Sequence, residues 1–137
     1  MDNKKYVSTG LRDLDNALGG GFQPGGLYVL GGRPAMGKSA LALNIVSNAI
    51  EKGIKVTYFS VEMSKDPHPI LSDFWKIEIS NIADVAMLLY RDEYYNKDTE
   101  LKNIAEITIA HNNFGPCSHT ESAYLPEYLR FANLEKR

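Results

Sequence analysis

The chain has a single cysteine, Cys117, among its 137 residues. One thiol cannot form an intramolecular disulfide, and it cannot supply the several thiolates that a cysteine-based zinc site needs. Both kinds of covalent or metal cross-link through cysteine are therefore excluded within the chain.

Long apolar runs and an excess of basic residues are also missing. A membrane-spanning helix needs about 20 consecutive apolar residues, and no stretch approaches that length. The first ten residues lack the apolar segment of a secretory signal peptide. The formal net charge of -2 gives no overall basic field for nucleic acid. These absences favour a cytoplasmic protein with no membrane partner.

The most informative stretch is Gly32–Ser39, whose sequence is GRPAMGKS. It fits the phosphate-binding P-loop pattern G-x-x-x-x-G-K-[ST]. Gly32 and Gly37 allow the backbone to approach a phosphate closely, and successive N–H groups then form an anion-binding nest before a helix. Lys38 can reach the terminal phosphates, and the Ser39 hydroxyl can occupy one Mg²⁺ position. The alternative is a glycine-rich turn with a surface lysine.

The segments on either side favour the phosphate-binding interpretation. Residues 27–30 form a short apolar run that predicts a strand, and apolar residues recur at helical spacing from Ser39 to Glu51. Gly53 follows at a position where a left-handed residue ends a helix. Residues 55–61 are rich in β-branched and aromatic side chains and predict a second strand. Together they predict a right-handed βαβ unit, with the strand at 55–61 directly beside the strand at 27–30.

The second half of the chain is less regular. Two prolines in residues 64–70 predict a loop, the apolar run 85–90 predicts a buried strand, and 106–110 alternates like another strand. A turn is expected at 112–116. Two short strands are expected around Pro126.

Several stretches match the sequence of one family, and they do so in that family's order. The opening STGLRDLDNALGGGFQPGGLYVLGG resembles the start of a RecA-like ATPase domain, and RPAMGKSALALNI is more specific. FSVEMS, PILSD, ADVAMLLYRDEYY and EYLRFANLEKR are similar to later parts of the same domain. The chain thus resembles the DnaB-type replicative DNA helicases. The resemblance implies one reduced RecA-like P-loop domain over residues 1–137, an α/β fold with a mainly parallel sheet flanked by helices.

The resemblance also implies a nucleotide site. Lys38 matches the family's catalytic lysine, Glu62 its glutamate that orients the attacking water, and Ser39 its Mg²⁺-binding position. Arg91 and Tyr128 match positions that line the nucleotide base, where a guanidinium and a phenol ring can sandwich adenine. The residues expected to contact ATP or ADP are Gly32, Arg33, Pro34, Ala35, Met36, Gly37, Lys38, Ser39, Ala40, Arg91 and Tyr128.

Simpler interpretations remain for three of these residues. Glu62 is also consistent with a surface glutamate at a strand end, and Arg91 and Tyr128 with ordinary surface packing. The histidines are not spaced as a ligand set, and no carboxylate cluster accompanies them in the sequence. Mg²⁺ that arrives with the nucleotide is therefore the expected metal.

The chain departs from the family in two respects. Between Ser64 and Pro69 the family has the larger part of its ATPase core, with the Mg²⁺-supporting aspartate, the sensor strand and the DNA-holding loops. None of these has a counterpart here, so the chain resembles an internally deleted domain. Where the family has an arginine finger and a nearby lysine, this chain has Asn113 and His111. A neutral amide cannot neutralise charge on a transferred phosphoryl group.

Three functions are compatible with the sequence. The family as a whole implies an ATP-driven motor that unwinds DNA in replication. A second possibility is a nucleotide-binding module with little or no turnover, which joins or blocks helicase subunits or self-associates as a dimer or ring. The third is a nonfunctional remnant of a deleted gene. An intact P-loop without the aspartate and the finger favours the second over the first, and only weak DNA binding is expected.

Overall fold

A computed structural model describes residues 6–58 and 83–134 of the chain. Glu62, the predicted loop at 64–70 and the end of the predicted strand at 59–61 lie outside the described residues. The elements, in chain order, are α1 (Arg12–Ala17), β1 (Tyr28–Gly31), α2 (Lys38–Glu51), β2 (Val85–Tyr90), α3 (Asp92–Tyr95), β3 (Ile104–Asn112), β4 (Ser118–Leu125) and β5 (Arg130–Ala132).

The five strands form one mixed sheet in the order β1-β2-β3-β4-β5. β1 and β2 are parallel, whereas β2–β3, β3–β4 and β4–β5 are antiparallel. The α/β class is confirmed, but within the described residues the sheet is mixed rather than mainly parallel. The physical reason is connection length, since strands joined by short connections pair in the antiparallel direction.

Within the described residues, the strand beside β1 is β2 and not the predicted strand at 55–61. Tyr28 pairs with Val85 and Gly31 with Leu88, so β2 is the parallel neighbour of β1. Residues 55–58 form no strand, and all four are exposed. Alternate residues of β2 are buried, as expected of a strand with one face on the core.

The core lies on one face of the sheet, beneath α1 and α2. Alternate residues of β2 and β3 point into it, and they meet leucines from both helices. Burying one such side chain contributes about 1.5–3 kcal/mol, so this face accounts for much of the stability. Its buried members are Leu11, Leu14, Leu18, Met36, Leu41, Val85, Met87, Leu89, Ala105, Ile107, Ile109, Tyr124 and Phe131.

The end of α2 is as the sequence predicts. Gly53 has a φ of 79°, which a glycine adopts without steric cost. Its N–H donates to the Ile50 carbonyl at 2.9 Å, and the Ile54 N–H donates to the Ala49 carbonyl at 3.0 Å. This pair of hydrogen bonds is the Schellman motif that closes a helix.

Within residues 6–58 and 83–134, no helix has the length and hydrophobicity needed to cross a membrane.

Candidate functional site

The loop Gly32–Ser39, hereafter the 32–39 loop, connects the end of β1 to the start of α2. Two of its residues have positive φ angles, Ala35 at 67° and Gly37 at 97°. Gly37 is the N-cap residue of α2, and its carbonyl accepts the Leu41 N–H at 2.8 Å. Left-handed residues followed by a helix N-terminus produce a concave backbone that suits an anion. The cavity over this loop has a volume of about 250 Å³ and is lined by Pro34, Ala35, Met36, Gly37, Lys38, Ser39 and Ala40.

Two positions of the loop are glycine because neighbouring strands approach the loop backbone closely there. A Cβ on Gly32 would lie 2.8 Å from the Leu89 carbonyl oxygen of β2, closer than real Cβ contacts. A Cβ on Gly37 would lie 3.3 Å from the Phe131 ring, at a φ that side chains rarely adopt. The loop is therefore seated against β2 on one side and β5 on the other, and neither glycine can gain a side chain without a shift.

The Lys38 side chain lies over the backbone at the beginning of the 32–39 loop. Its ammonium group donates to the carbonyl of Gly32 and lies 3.5 Å from that of Arg33. Ser39, the next residue, is exposed and lines the same cavity. The arrangement places a cation and an exposed hydroxyl at the start of α2, and these groups can contact a phosphate and a phosphate-bound Mg²⁺.

Arg91 contacts the back of the loop, a contact that the sequence did not predict. Its guanidinium donates to the Ala35 carbonyl at 2.8 Å and lies 4.3 Å from the centre of the Tyr124 ring. Its backbone N–H donates to the buried Met36 sulfur at 3.3 Å. Arg91 thus ties the end of β2 to the middle of the 32–39 loop.

Tyr128 lies on a different side of the loop from Arg91. It is 74% exposed and lines a cavity of about 470 Å³ together with Ser39, Ala40 and Leu43. Arg91 lines a separate cavity with Tyr94. Of the two residues expected at the nucleotide base, the structure therefore brings Tyr128 beside the start of α2 and Arg91 against the loop backbone.

Asn113 lies far from the 32–39 loop of its own chain. It follows β3, and its N–H donates to the Asp84 carbonyl at 2.8 Å, just before β2 begins. The loop follows the opposite end of β1, which runs parallel to β2. Position 113 and the 32–39 loop therefore lie at opposite ends of the β1–β2 pair.

One cluster was missed by the sequence analysis. His119 lies beside Glu106 and Glu121, so the expectation that no carboxylates accompany the histidines is wrong for His119. The three residues are brought together by the pairing of β3 with β4, which no local spacing indicates.

Solved structures with the same architecture define the class of protein. One solved ATPase domain superimposes with a TM-score of 0.78 at 19% identity, covering 97% of this chain and 93% of that one. A DnaB-like replicative helicase, solved in a study of its interactions with primase, also gives 0.78, at 18% identity and with 63% of its chain covered. The fold is that of a RecA-like helicase ATPase domain, in reduced form.

The sequence comparisons define the family. The profile of the DnaB-like helicase C-terminal domain matches residues 6–67 and 64–133, and the chain belongs to this family. The replicative DNA helicase DnaB of Geobacillus stearothermophilus is 47% identical over 79 residues, which are 57% of this chain and 17% of that protein. The DNA repair protein RadA of Campylobacter jejuni is 33% identical over 116 residues, 82% of this chain and 26% of its own. The chain thus spans at most about a quarter of the length of these relatives.

Proposed function

We propose that the chain binds ATP or ADP with Mg²⁺ at the 32–39 loop and turns it over slowly or not at all. The observation that carries the proposal is that Lys38 and Ser39 begin α2 directly after the left-handed residues Ala35 and Gly37. The chain belongs to a helicase family, and a loop of this sequence pattern binds the phosphates of a nucleotide. A nucleotide is therefore the ligand that we propose for this loop.

The residues present fit a nucleotide phosphate chain. The left-handed residues Ala35 and Gly37 give the loop a concave backbone, and the Lys38 ammonium rests on carbonyl oxygens that a phosphate oxygen would replace. The exposed Ser39 hydroxyl would contribute one ligand to Mg²⁺, which when bound neutralises phosphate charge. Arg91 would contribute indirectly, because its hydrogen bond fixes the position of the Ala35 carbonyl.

The base is assigned to the side of the loop on which Tyr128 lies. The cavity of about 470 Å³ that Tyr128 and Leu43 line begins at Ser39 and Ala40, next to the phosphate cavity. An adenine in this cavity would have the Tyr128 ring available for stacking. Arg91 would reach the same base only by releasing the Ala35 carbonyl.

The internal deletion is part of the proposal. The two stretches that match the family overlap at residues 64–67, and this break in the match supports an internal deletion at that place. Without the family's DNA-holding loops, its aspartate and its finger, unwinding of DNA is not expected. A module that joins or blocks helicase subunits is compatible with this architecture, whereas a nonfunctional remnant would bind no nucleotide.

Replacing Lys38 with alanine is expected to weaken nucleotide binding about tenfold or more, because a hydrogen bond to a charged group contributes about 1.5–3 kcal/mol. Titration calorimetry with Mg²⁺-ADP and Mg²⁺-ATP measures the effect. Lys52→Ala is the matched control, since Lys52 follows the far end of the same helix. No heat with the parent chain, or equal affinity for parent and Lys38→Ala, would overturn the proposal.

Single-stranded DNA is expected to bind weakly and in a salt-sensitive way. The net charge is -2, and the stretch from Lys97 to Lys102 mixes both signs of charge instead of forming a basic stripe. Fluorescence anisotropy with a labelled oligonucleotide, at low and at physiological salt, measures the affinity. A submicromolar dissociation constant at physiological salt would contradict this expectation and would indicate a basic groove elsewhere.

A further inference from the structure

The solvent-facing side of the β3–β4 hairpin carries two carboxylates and an imidazole around one point. Glu106 is the cross-strand partner of Glu121, and Thr108 is the partner of His119. His119 and Glu121 are two residues apart on β4, so their side chains leave the same face of the sheet. One ligand atom from each of Glu106, His119 and Glu121 lies within 4.8 Å of the other two.

The distances suit a metal ion of tetrahedral preference. Nε2 of His119 and Oε1 of Glu106 are 3.5 Å apart. Two ligand atoms that are each about 2.1 Å from a tetrahedral zinc ion lie about 3.4 Å from one another. The observed separation is therefore close to one edge of such a coordination polyhedron, and both residues are on paired strands rather than on a loop.

Thr108 orients the imidazole from the other side. Nδ1 of His119 lies 3.1 Å from the Thr108 hydroxyl oxygen. When Nδ1 carries the proton and donates it to that oxygen, Nε2 keeps its lone pair directed at the two glutamates. Metal-bound histidines are commonly held in this way by a partner on the second ring nitrogen.

The two carboxylates also need a cation near them. Like charges directly opposite each other in an antiparallel pair destabilise the pairing, and Glu106 and Glu121 occupy such positions. A dication bound between the two carboxylates would offset that repulsion. The donor set separates the candidate ions, because an imidazole with carboxylates suits zinc and its neighbours, whereas Mg²⁺ and Ca²⁺ prefer oxygen alone.

We propose that Glu106, His119 and Glu121 bind a divalent transition-metal ion of the zinc class, with water completing the coordination. The site is independent of the nucleotide proposal, because it is built on β3 and β4 while the 32–39 loop follows β1. Bound metal would clamp the β3–β4 hairpin and stabilise the folded chain, since the unfolded chain does not bring these residues together.

Calorimetric titration of zinc chloride into chelator-stripped protein tests the site. The parent is expected to bind one equivalent and to unfold at a higher temperature with zinc. His119→Gln and Glu106→Gln each lower the affinity about tenfold or more and remove the thermal shift. Circular dichroism of each variant without metal shows that it is folded, and Glu121→Gln supplies an independent third variant.

Cys117 is the necessary control, because a thiolate is a strong zinc ligand and Cys117 is exposed two residues before His119. Cys117→Ser is expected to bind zinc as the parent does. Three results overturn the proposal: no binding by the parent, binding lost in Cys117→Ser but kept in His119→Gln, or an equal thermal shift with magnesium chloride. The third result would reduce the site to an acidic patch that attracts any dication.

Discussion

Phosphate release from ATP by this chain is expected to remain near the rate measured without protein, and one restored residue is expected not to change that. Phosphoryl transfer needs positioned phosphates, a held metal, an oriented water and a charge that neutralises the transferred group. The 32–39 loop is proposed to supply the first, and Glu62 the third. No counterpart of the family's Mg²⁺-supporting aspartate is visible in the sequence, and the resemblance to the family puts Asn113 at the position of the arginine finger.

The size of the expected loss follows from how these parts combine. An arginine finger alone accounts for about 10³–10⁵ in turnover. The effects of catalytic groups that act as a unit are not additive. We therefore expect that the absence of the aspartate and the arginine finger leaves activity near background, whatever Glu62 contributes.

Geometry explains why Asn113→Arg is expected to fail as a rescue. Position 113 lies beside Asp84 at the start of β2, at the opposite end of the sheet from the 32–39 loop. The new guanidinium would reach a nucleotide only across an interface with a second copy in the family's arrangement.

A phosphate-release assay on the parent, Asn113→Arg and Lys38→Ala decides the matter. All three are expected to give the same near-background rate. The binding-only proposal is wrong if the parent turns over ATP at about one per second or faster, a rate within the range of working enzymes, and Lys38→Ala abolishes it.

The features that the sequence predicted correctly are those set by near neighbours in the chain. β1 and α2 follow from their apolar periodicity, and the left-handed end of α2 follows from Gly53. β2 and the turn after β3 follow in the same way from an apolar run and from a Gly-Pro pair. Each of these signals lies within the element that it predicts or directly beside it.

The features that the sequence did not predict depend on pairing between distant segments. The partner of β1 was expected at residues 55–61 because they follow α2 directly in a predicted βαβ unit. In the described residues β1 pairs instead with β2, which lies much further along the chain. The contact of Arg91 with Ala35 joins residues 56 positions apart. The cluster around His119 requires the register of β3 against β4, and a register shift of one residue would send its side chains to the opposite face.

Phe131 is the side chain whose removal is expected to destabilise the fold most clearly. It is 1% exposed, its ring centre lies 4.8 Å from that of Tyr124, and its N–H donates to the Asn44 side chain of α2 at 3.3 Å. It belongs to β5, a strand of three residues at the edge of the sheet. The Phe131 ring therefore packs on Tyr124 of β4 and beside the loop residue Gly37, while its backbone N–H joins β5 to α2.

Phe131→Ala is expected to lower the free energy of unfolding by about 3–5 kcal/mol, because it removes a buried ring and leaves a cavity. Domains of this kind have a total stability of about 5–15 kcal/mol, so the loss is a large fraction of the whole. Urea unfolding followed by circular dichroism measures it. Leu129→Ala is the matched control: Leu129 is 65% exposed two residues earlier, and its removal is expected to change stability by less than about 0.5 kcal/mol.

The same residue links stability to the proposed nucleotide site. Phe131→Leu retains most of the buried volume and is expected to fold, but it removes the flat ring against which Gly37 rests. Mg²⁺-ADP should then bind more weakly to Phe131→Leu than to the parent chain at a temperature where both are folded. Equal stability losses in Phe131→Ala and Leu129→Ala would show that β5 is not packed as described. Unchanged nucleotide affinity in Phe131→Leu would show that the loop keeps its shape without this contact.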